Sequence, residues 1–476
     1  MTALVWFRND LRVRDNPALY KAAEEKQGVL AVYVHCEAYV GRFPIAPARL
    51  DFIRRHLLVL VRELAQLNIP LRLIAVNRAE QIAPALAALV TQYNIDKCFF
   101  NAEYPLDELA RDHQVNQLLR AQGVLVKRCH DRVIVPPGMI RTGNGEPYKV
   151  FTAFKRKWLQ TVMPLHLQPL GLPDKQAQPM PVKPVTQADI NRLFGEHSVR
   201  DLEHLWPAGE DEACARLDSF IESGLTHYQD KRDFPALQGT STLSPYLAIG
   251  SLSPRQAISS VLCYTQGDWE SNAGASCWIS ELIWREFYQH VVVDFPQVCK
   301  HRAMQVHTEA FPWKKDKKQF SRWCQGNTGI PLVDAAMRQL VMTGWMHNRL
   351  RMVVAMFLTK NLQIDWRLGE RFFMEHLIDG DFAANNGGWQ WSASTGTDAA
   401  PYFRVFNPIS QSERFDPQGD FIRSWIPELA DVPLKYIHNP SADKSFSSLQ
   451  YPAPMVDLAE SRKSTIALFS QLPSLA

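Results

Sequence analysis

The sequence lacks the cysteine spacings that are typical of disulfide-rich or metal-binding proteins. Its 476 residues include eight cysteines, which form no CxxC pair and share no metal-ligand spacing with histidine. This scatter argues against both a disulfide framework and a structural zinc site. We therefore expect no metal site, and we expect the thiols to be reduced.

Long apolar runs are also missing. No uninterrupted apolar stretch approaches the ~20 residues that a membrane-spanning helix requires. The opening MTALVWFRND mixes acidic and basic residues, unlike a signal peptide. The sequence therefore predicts a soluble, cytoplasmic protein without a membrane partner, and we expect a monomer.

A strong charge of one sign is absent too. The chain has 52 Lys and Arg against 49 Asp and Glu, which gives a net charge of +3. No overall positive field would therefore attract nucleic acid. Any contact with DNA must use a local basic patch.

The patterns that are present divide the chain into three parts. Short apolar runs alternate with helical patterns over residues 1–131, which predicts a Rossmann-like α/β domain with a parallel sheet. A proline-rich stretch then marks a connector over residues 132–200. Long patterns with helical period predict an all-α domain over residues 201–476.

One helical pattern, SCWISELIWREFYQHVVV, combines an acid with two aromatic rings. Helical spacing places Glu281, Trp284 and Tyr288 on one face, with apolar residues roughly opposite. Two interpretations are open at this point. The face is either an amphipathic rim, or a pocket whose rings stack on a flat ligand while the acid binds its polar edge.

Two further segments concentrate polar groups. In WMHNRLRMVV, helical spacing brings Asn348, Arg351 and Met352 to one face. The segment LIDGDFAANNGGWQW has little apolar mass and adjacent glycines, which predicts a loop over residues 379–391. We expect this loop to wrap a polar heterocycle and to pair one carboxylate with Arg351.

Hydroxyl groups are concentrated in QGTSTLSPYLAIG, just before a predicted helix. Thr240, Ser241, Thr242 and Ser244 either bind a phosphate or simply cap that helix.

Together these segments resemble the photolyase/cryptochrome family over nearly the whole chain. The pattern is similar to bacterial class I cyclobutane-dimer photolyases, because GTSTLSPYLAIGSLSPRQ, ELIWREFYQH, IPLVDAAMRQL, GWMHNRLRM and ANNGGWQWSASTGTDAAPYFRVFNP occur in this order. The resemblance implies an antenna chromophore in the N-terminal domain and FAD in the helical domain. It also implies light-driven repair of cyclobutane pyrimidine dimers in damaged duplex DNA.

The resemblance assigns residues to FAD. The matching positions are Tyr228, Thr240, Ser241, Thr242, Leu243, Ser244, Trp278, Glu281, Arg285, Asn348, Arg351, Asp379, Gly380, Asp381 and Asn385. Among them, Asn385 would face the flavin N5 and tune the redox state of the cofactor. Thr242 stands where the family pattern GTSRLS has arginine.

The resemblance also implies an electron path and a lesion site. The tryptophan chain Trp389, Trp366 and Trp313 would carry an electron to the photoexcited flavin. Residues implied to contact the flipped-out dimer or its DNA are Arg232, Glu281, Trp284, Tyr288, Asn348, Arg349, Met352 and Trp391. Of these, Glu281, Trp284 and Trp391, with Asn385, form the implied catalytic set.

Related activities are the alternatives. A cryptochrome-type photoreceptor would keep FAD and the tryptophan chain without repair, but Glu281, Trp284, Met352 and Trp391 occur together here. The (6-4) photolyases carry histidines where this chain has Asn348 and Met352. Cryptochromes of the DASH type carry an NRGRQ-like sequence in place of NRLRM.

For the antenna, the resemblance points to 5,10-methenyltetrahydrofolate through Glu108, Cys299 and Lys300. Phe43 stands where the folate pattern has histidine, and Asp107 where it has asparagine. A flavin or a deazaflavin therefore stays open.

Overall fold

The computed structural model describes residues 2–25, 28–37, 44–195 and 201–473. Its strands are β1 (Ala3–Phe7), β2 (Val29–Cys36), β3 (Leu71–Val76), β4 (Lys97–Asn101) and β5 (Leu125–Cys129). They form one sheet in the order β3-β2-β1-β4-β5, and every pair is parallel. The predicted α/β class is confirmed.

Helices account for most of the remaining structure. In chain order they are α1 (Pro17–Ala23), α2 (Pro47–Gln66), α3 (Ile82–Tyr93), α4 (Leu106–Ala121), α5 (Phe151–Thr161), α6 (Pro164–Leu167), α7 (Gln187–Phe194), α8 (Glu210–Ser223), α9 (Tyr228–Lys231), α10 (Ser244–Ile249), α11 (Pro254–Tyr264), α12 (Ala273–Asp294), α13 (Lys317–Cys324), α14 (Pro331–Thr343), α15 (Asn348–Met356), α16 (Trp366–His376), α17 (Phe382–Ala393), α18 (Pro408–Phe415), α19 (Asp420–Trp425), α20 (Leu434–Ile437) and α21 (Leu458–Ser470). A π-helical turn, Phe357–Asn361, follows α15. The mainly helical character predicted for the second part of the chain is confirmed.

The chain folds as two compact units. Unit one comprises Met1–Thr226, Ser241–Cys299 and Ile378–Asp381, and unit two comprises His227–Thr240, Lys300–Leu377 and Phe382–Ala476. Among the residues that the structure describes, no helix combines the length and the apolar character needed to cross a bilayer.

The sheet of unit one has an apolar core on the face covered by α3 and α4. Leu4, Val32 and Phe100 contribute from the strands, and Leu86 and Val115 from the helices. All five residues of β1 are buried, as expected of a central strand in a parallel sheet.

Beyond the carboxyl ends of the strands, unit one buries a network of charges. The carboxylate of Asp131, just after β5, accepts hydrogen bonds from the guanidinium groups of Arg12 at 2.5 Å and Arg255 at 2.6 Å. Burial alone would raise the pKa of Asp131, but these two guanidinium groups lower it to about 2. Arg255 also pairs with Asp15 at 3.0 Å. The network fixes the segments that follow β1 and β5 against α11.

The core of unit two lies between α14, α15, α16 and α17. On α15, Leu350, Val353 and Val354 are fully buried, as expected for apolar residues at i, i+3 and i+4 of a helix. The helix begins after His347, whose Nδ1 accepts from the backbone N–H of Arg349 at 3.2 Å. Burial lowers the pKa of His347 to about 4, so the ring is neutral at pH 7 and able to accept this bond.

The prediction of a loop over residues 379–391 is wrong, because residues 382–393 form helix α17. Asn386 donates to the Glu370 carboxylate at 2.8 Å and accepts from Gln390, one turn later, at 2.9 Å. Trp389 is buried in the core. These tertiary contacts outweigh the low helix propensity of asparagine and glycine. Gly387 and Gly388 are ordinary helical residues within α17.

Candidate functional site

The polar face of α12 in unit one is arranged as predicted. Glu281, Trp284 and Tyr288 are half-buried, whereas the residues opposite them are fully buried. Those opposite residues are Ile279, Ile283 and Phe287. The face therefore presents an acid and two rings from a rigid helix.

Trp284 is supported by a residue that sequence reasoning missed. The ring of Phe151, the first residue of α5, stacks on Trp284 with centroids 3.7 Å apart and planes 10° apart. The centre of the Tyr288 ring lies 5.6 Å from that of Trp284. Because Phe151 fixes one face of the indole, Trp284 is held as a platform for a flat group. No local pattern links two rings 133 positions apart, so the sequence could not reveal this pair.

Glu286 anchors the segment that follows β5 to α12. Its carboxylate accepts from the backbone N–H groups of Ile134 at 2.6 Å and Val135 at 2.9 Å, and from the indole N–H of Trp158 at 2.6 Å. Burial raises its pKa to about 7, although these three donors act in the opposite direction. The anchor holds the segment that carries Arg132 beside α12.

We expect Glu286→Ala to lower the free energy of unfolding by about 3 kcal/mol, because it leaves buried N–H donors without an acceptor. The folded pKa of Glu286 lies above its usual value of 4.5, so its contribution is present below that value and is lost as the pH rises through about 7. Urea unfolding should therefore show a larger difference between wild type and variant near pH 5 than near pH 8. An equal difference at both pH values would contradict this account.

Three arginines converge on the carboxyl end of α10 and its surroundings. Arg285 donates to the carbonyl oxygens of Arg132 at 2.6 Å and Leu247 at 3.2 Å. Arg132 pairs with Asp381 at 2.5 Å, and Arg49 contacts the carbonyl oxygen of Ala248 at 3.5 Å. Burial lowers the pKa of Arg285 to about 10, and the charge of Arg132 adds to this effect.

This buried positive cluster suits an anionic or electron-rich ligand. Asp381 is also contacted by Gln289, which donates to it at 3.2 Å. Arg49, Arg132 and Gln289 were missed, because the sequence offers nothing that separates them from solvated polar residues. The predicted pairing of a carboxylate with Arg351 stays a prediction.

The hydroxyl-rich segment at the start of α10 contacts two other helices of unit one. The Trp278 indole N–H donates to Ser241 Oγ at 3.2 Å. Thr242 has a left-handed backbone, with φ of 50°, and its Oγ1 accepts from Arg216 of α8 at 2.7 Å. Arg216 thus brings a guanidinium group to the side chain of Thr242. Leu243 is buried, and Ser244 begins the helix.

The residues predicted for an antenna lie in different surroundings. Glu108 is half-buried on α4, and burial, followed by the charge of Glu103, raises its pKa to about 7. Cys299 is buried in unit one, and its thiol contacts the Val292 carbonyl oxygen at 3.9 Å. Lys300 is exposed in unit two. Phe43 lies outside the described residues.

Unit two positions the predicted lesion residues on α15 and near α9. Arg349 pairs with Asp233 at 2.7 Å, and its guanidinium lies 4.5 Å from the centre of the Phe415 ring. Arg351 donates through Nε to the Met346 carbonyl oxygen at 2.8 Å. Arg232 is 5.3 Å from the ring of Tyr228. Four other residues of unit two were predicted to bind FAD or DNA. Asn348 is exposed, and Thr240, Met352 and Trp391 are half-buried.

Asn385 lies on α17, half-buried, with its amide orientation fixed. Its Nδ2 donates to the Glu370 carbonyl oxygen at 2.9 Å. This bond directs Nδ2 toward α16 and leaves Oδ1 as an acceptor for another group.

The three predicted tryptophans of the electron path share the core of unit two. Trp366 and Trp389 are buried, and Trp313 is half-buried against the same core. The Trp389 ring packs on Gly369, where a Cβ atom would lie 2.1 Å from the ring. Trp366 is three residues before Gly369 on α16, and therefore on the same face of that helix. The indole nitrogens of Trp366 and Trp389 are buried and have no acceptor in the structure.

Comparison with known proteins gives consistent matches over both halves of the chain. A family model described as DNA photolyase matches residues 3–179, and one described as the FAD binding domain of DNA photolyase matches residues 278–471. The deoxyribodipyrimidine photo-lyase of Vibrio cholerae is 46% identical over 470 residues, which are 98% of each chain.

Solved structures of similar fold include two photolyases and a cryptochrome. A bacterial class III photolyase from Agrobacterium tumefaciens has a TM-score of 0.89 at 35% identity, covering 98% of this chain and 97% of its own. A cryptochrome from Synechocystis has a TM-score of 0.87 at 29% identity, and the match covers 98% of this chain and 99% of the cryptochrome. A Sulfolobus tokodaii photolyase with two FAD molecules has a TM-score of 0.84 at 28% identity, and the match covers 99% of this chain and 100% of that photolyase.

Proposed function

Because the chain belongs to the DNA photolyase family, we propose that it repairs cyclobutane pyrimidine dimers in duplex DNA, using FAD and blue light. Its activity is that of a deoxyribodipyrimidine photo-lyase, a DNA-repair enzyme with an FAD-binding domain. The cyclobutane dimer as substrate, the residue roles and the antenna given below are parts of the proposal.

The observation that carries the proposal is the Trp284 platform. Its indole is held against Phe151 on a rigid helix, with its other surroundings only partly filled, and Glu281 lies one turn earlier. A flipped pyrimidine dimer offers flat faces to stack and carbonyl oxygens to bind, at a low cost because its bases stack poorly in the duplex. Glu281 supplies a hydrogen bond to the dimer, and Trp391 is assigned an apolar contact with one of its bases.

The residues fit FAD by the chemistry of their donors. Ser241, Thr242 and Ser244 supply hydroxyl and backbone donors for the diphosphate, and Arg216 adds positive charge within 2.7 Å of Thr242. The side chains of Trp278 and Arg285 border this segment on α12. Further FAD-binding residues in this proposal are Tyr228, Thr240, Leu243, Asn348, Arg351, Asp379, Gly380 and Asp381.

When bound, FAD supplies the absorption of blue light and the electron that is lent to the dimer and taken back. Asn385 would lie beside the flavin ring. Its Nδ2 donates to Glu370, so its Oδ1 would accept the N–H that reduced flavin carries at N5. An acceptor at this atom favours the reduced form of the cofactor, which is the form required for repair.

The buried tryptophans carry charge toward the surface. Trp389 and Trp366 have indole N–H groups without an acceptor, so neither can release its proton after it loses an electron. The positive charge therefore remains mobile until it reaches Trp313, whose ring is partly exposed. At that surface water can accept the proton.

DNA is bound through local positive charge, since the chain as a whole carries +3. Arg349 is oriented by Asp233 for a phosphate at the edge of the lesion. We also assign DNA contacts to Arg232, Asn348 and Met352 of unit two and to Tyr288 of unit one. We place the enzyme in the cytoplasm, at the nucleoid when bound, because that compartment holds its substrate, and we propose that one chain acts alone.

A light-harvesting antenna belongs to the proposal as well. Glu108, Cys299 and Lys300 would hold 5,10-methenyltetrahydrofolate, with a flavin or a deazaflavin as the alternative. The Sulfolobus protein with two FAD molecules supports the flavin alternative as a family precedent. We propose an antenna-binding domain over residues 1–131, a connector over residues 132–200 and a catalytic domain, to which Cys299 and Lys300 belong, over residues 201–476.

We expect Arg216→Gln to weaken FAD binding about tenfold, because it removes a charge-assisted hydrogen bond beside the diphosphate segment. The dissociation constant can be followed by the fluorescence that FAD regains on release. Arg62→Gln, a change at an exposed arginine of α2, is the matched control and should leave the constant unchanged. Equal constants for wild type and Arg216→Gln would show that Arg216 has no part in the site.

The substrate is tested with two duplexes of the same sequence. One carries a cyclobutane thymine dimer and the other a (6-4) photoproduct, and both are illuminated with FAD-loaded, reduced protein. We expect repair of the first duplex only, because Asn348 and Met352 stand where (6-4) enzymes have histidines. Repair of the (6-4) duplex would overturn the assignment, and repair of neither would favour the cryptochrome-type alternative.

A further inference from the structure

A pocket of about 480 Å³ opens beside α4 and the edge strand β5 in unit one. Its apolar wall is formed by Phe100, Leu109 and Val126. This volume lies within the range of roughly 300–1,000 Å³ that is usual for small-molecule sites. None of the residues assigned above to FAD, DNA or an antenna lines it.

One oxygen of a buried carboxylate in this pocket has no hydrogen-bonding partner. Asp112 is 4% exposed, and its Oδ1 accepts from Arg8 at 2.5 Å and from Arg111 at 2.7 Å. Its other oxygen, Oδ2, is buried with no hydrogen-bonding partner. A buried acceptor in this state is costly, and a ligand that donates an N–H to it removes the cost.

Positive charge lies at the rim of the same pocket. Arg120 and Arg128 both line it and both are exposed. Arg120 donates to Asn116 at 2.9 Å, which fixes its direction on α4. Arg128, on β5, lies 3.4 Å from the Glu103 carbonyl oxygen. Two guanidinium groups over an apolar wall suit a phosphate attached to a flat ring.

We propose that this pocket binds a purine nucleoside monophosphate. The exocyclic amino group of the base donates to Asp112 Oδ2, and the base packs between Phe100, Leu109 and Val126. The phosphate pairs with Arg120 and Arg128. A simple anion leaves Asp112 unsatisfied, and a ligand with a carboxylate at the deep end is repelled by it. The ligand must therefore carry a hydrogen-bond donor at one end and an anion at the other.

The ligand chemistry is tested by calorimetric titration of the FAD-loaded protein, in which the FAD site is already filled. The probes are adenosine monophosphate, purine riboside monophosphate, which lacks only the amino group, and ribose 5-phosphate. We expect adenosine monophosphate to bind about tenfold more tightly than purine riboside monophosphate, since a hydrogen bond to a charged group is lost. Ribose 5-phosphate should bind more weakly still. No binding of adenosine monophosphate, or equal binding of the two purine compounds, overturns the proposal.

The location is tested by variants on the exposed rim, which should fold normally. Arg120→Gln and Arg128→Gln should each weaken binding of adenosine monophosphate about tenfold. Arg192→Gln, at an arginine of α7 with an 80% exposed side chain, is the matched control and should bind as wild type does. Unchanged binding by both rim variants would place the nucleotide elsewhere and overturn the proposal. None of these readouts depends on DNA repair.

Discussion

Trp366→Phe is expected to abolish light-driven reduction of the flavin while leaving repair by chemically reduced protein intact. Trp366 is fully buried, and it is the middle residue of the proposed tryptophan path. Phenylalanine keeps the shape of the core but is far harder to oxidise than indole. A barrier raised by only about 3 kcal/mol slows a step roughly a hundredfold, so reduction should fall to background. The measurement is the loss of oxidised-flavin absorbance during illumination with an external electron donor.

Trp323→Phe is the matched control for this experiment. Trp323 is as fully buried as Trp366, in the same core, and its ring lies 6.0 Å from that of Trp389. Its indole N–H donates to the Val354 carbonyl oxygen at 3.2 Å, so the change is at least as disruptive to packing. Flavin reduction should persist in this variant. Equal loss in both variants would attribute the effect to the core and not to an electron path.

Trp284→Ala is expected to remove most of the preference for damaged DNA. Stacking of a base on an aromatic side chain is worth about 1–3 kcal/mol, which corresponds to roughly tenfold to a hundredfold in affinity. Phe151 holds the Trp284 indole in place, so the platform needs little ordering when the dimer binds. Fluorescence anisotropy should show weaker binding of the duplex with a dimer and unchanged binding of the undamaged duplex.

Arg349→Gln provides the contrast to Trp284→Ala. Removal of a residue that contacts a phosphate should weaken the binding of both duplexes alike and should lower the dependence of binding on salt. Phe151→Ala should act in the same direction as Trp284→Ala, but less strongly. If Trp284→Ala instead weakened the binding of both duplexes to the same extent, Trp284 would be a general DNA contact and not a platform for the lesion.

The sequence alone predicts those features that depend on regular spacing. The face of α12 with Glu281, Trp284 and Tyr288 follows from the helical period, and so does the buried face of α15. The parallel sheet follows from alternating apolar runs. In each case the signal lies within one element, where neighbouring positions determine which side chains point together.

Features that depend on distant residues escape such reasoning. The contact of Arg216 with Thr242 and the stack of Phe151 on Trp284 join separate helices. Helix α17 forms against local propensity because Asn386 is bonded to Glu370. Gly369 looks unremarkable in the sequence, yet it is the position that allows Trp389 to approach α16. Such contacts are tertiary, and a single sequence carries no pattern for them.

The most direct test of the account is repair of a duplex with one thymine dimer by purified, reduced protein in blue light. Repair is followed by the absorbance that intact pyrimidines regain, with a dark control and Glu281→Ala alongside. The account predicts repair in light only, slower in the variant because a hydrogen bond to the dimer is lost. Protein loaded with FAD that repairs no dimer in light, or repairs equally well in the dark, would contradict it.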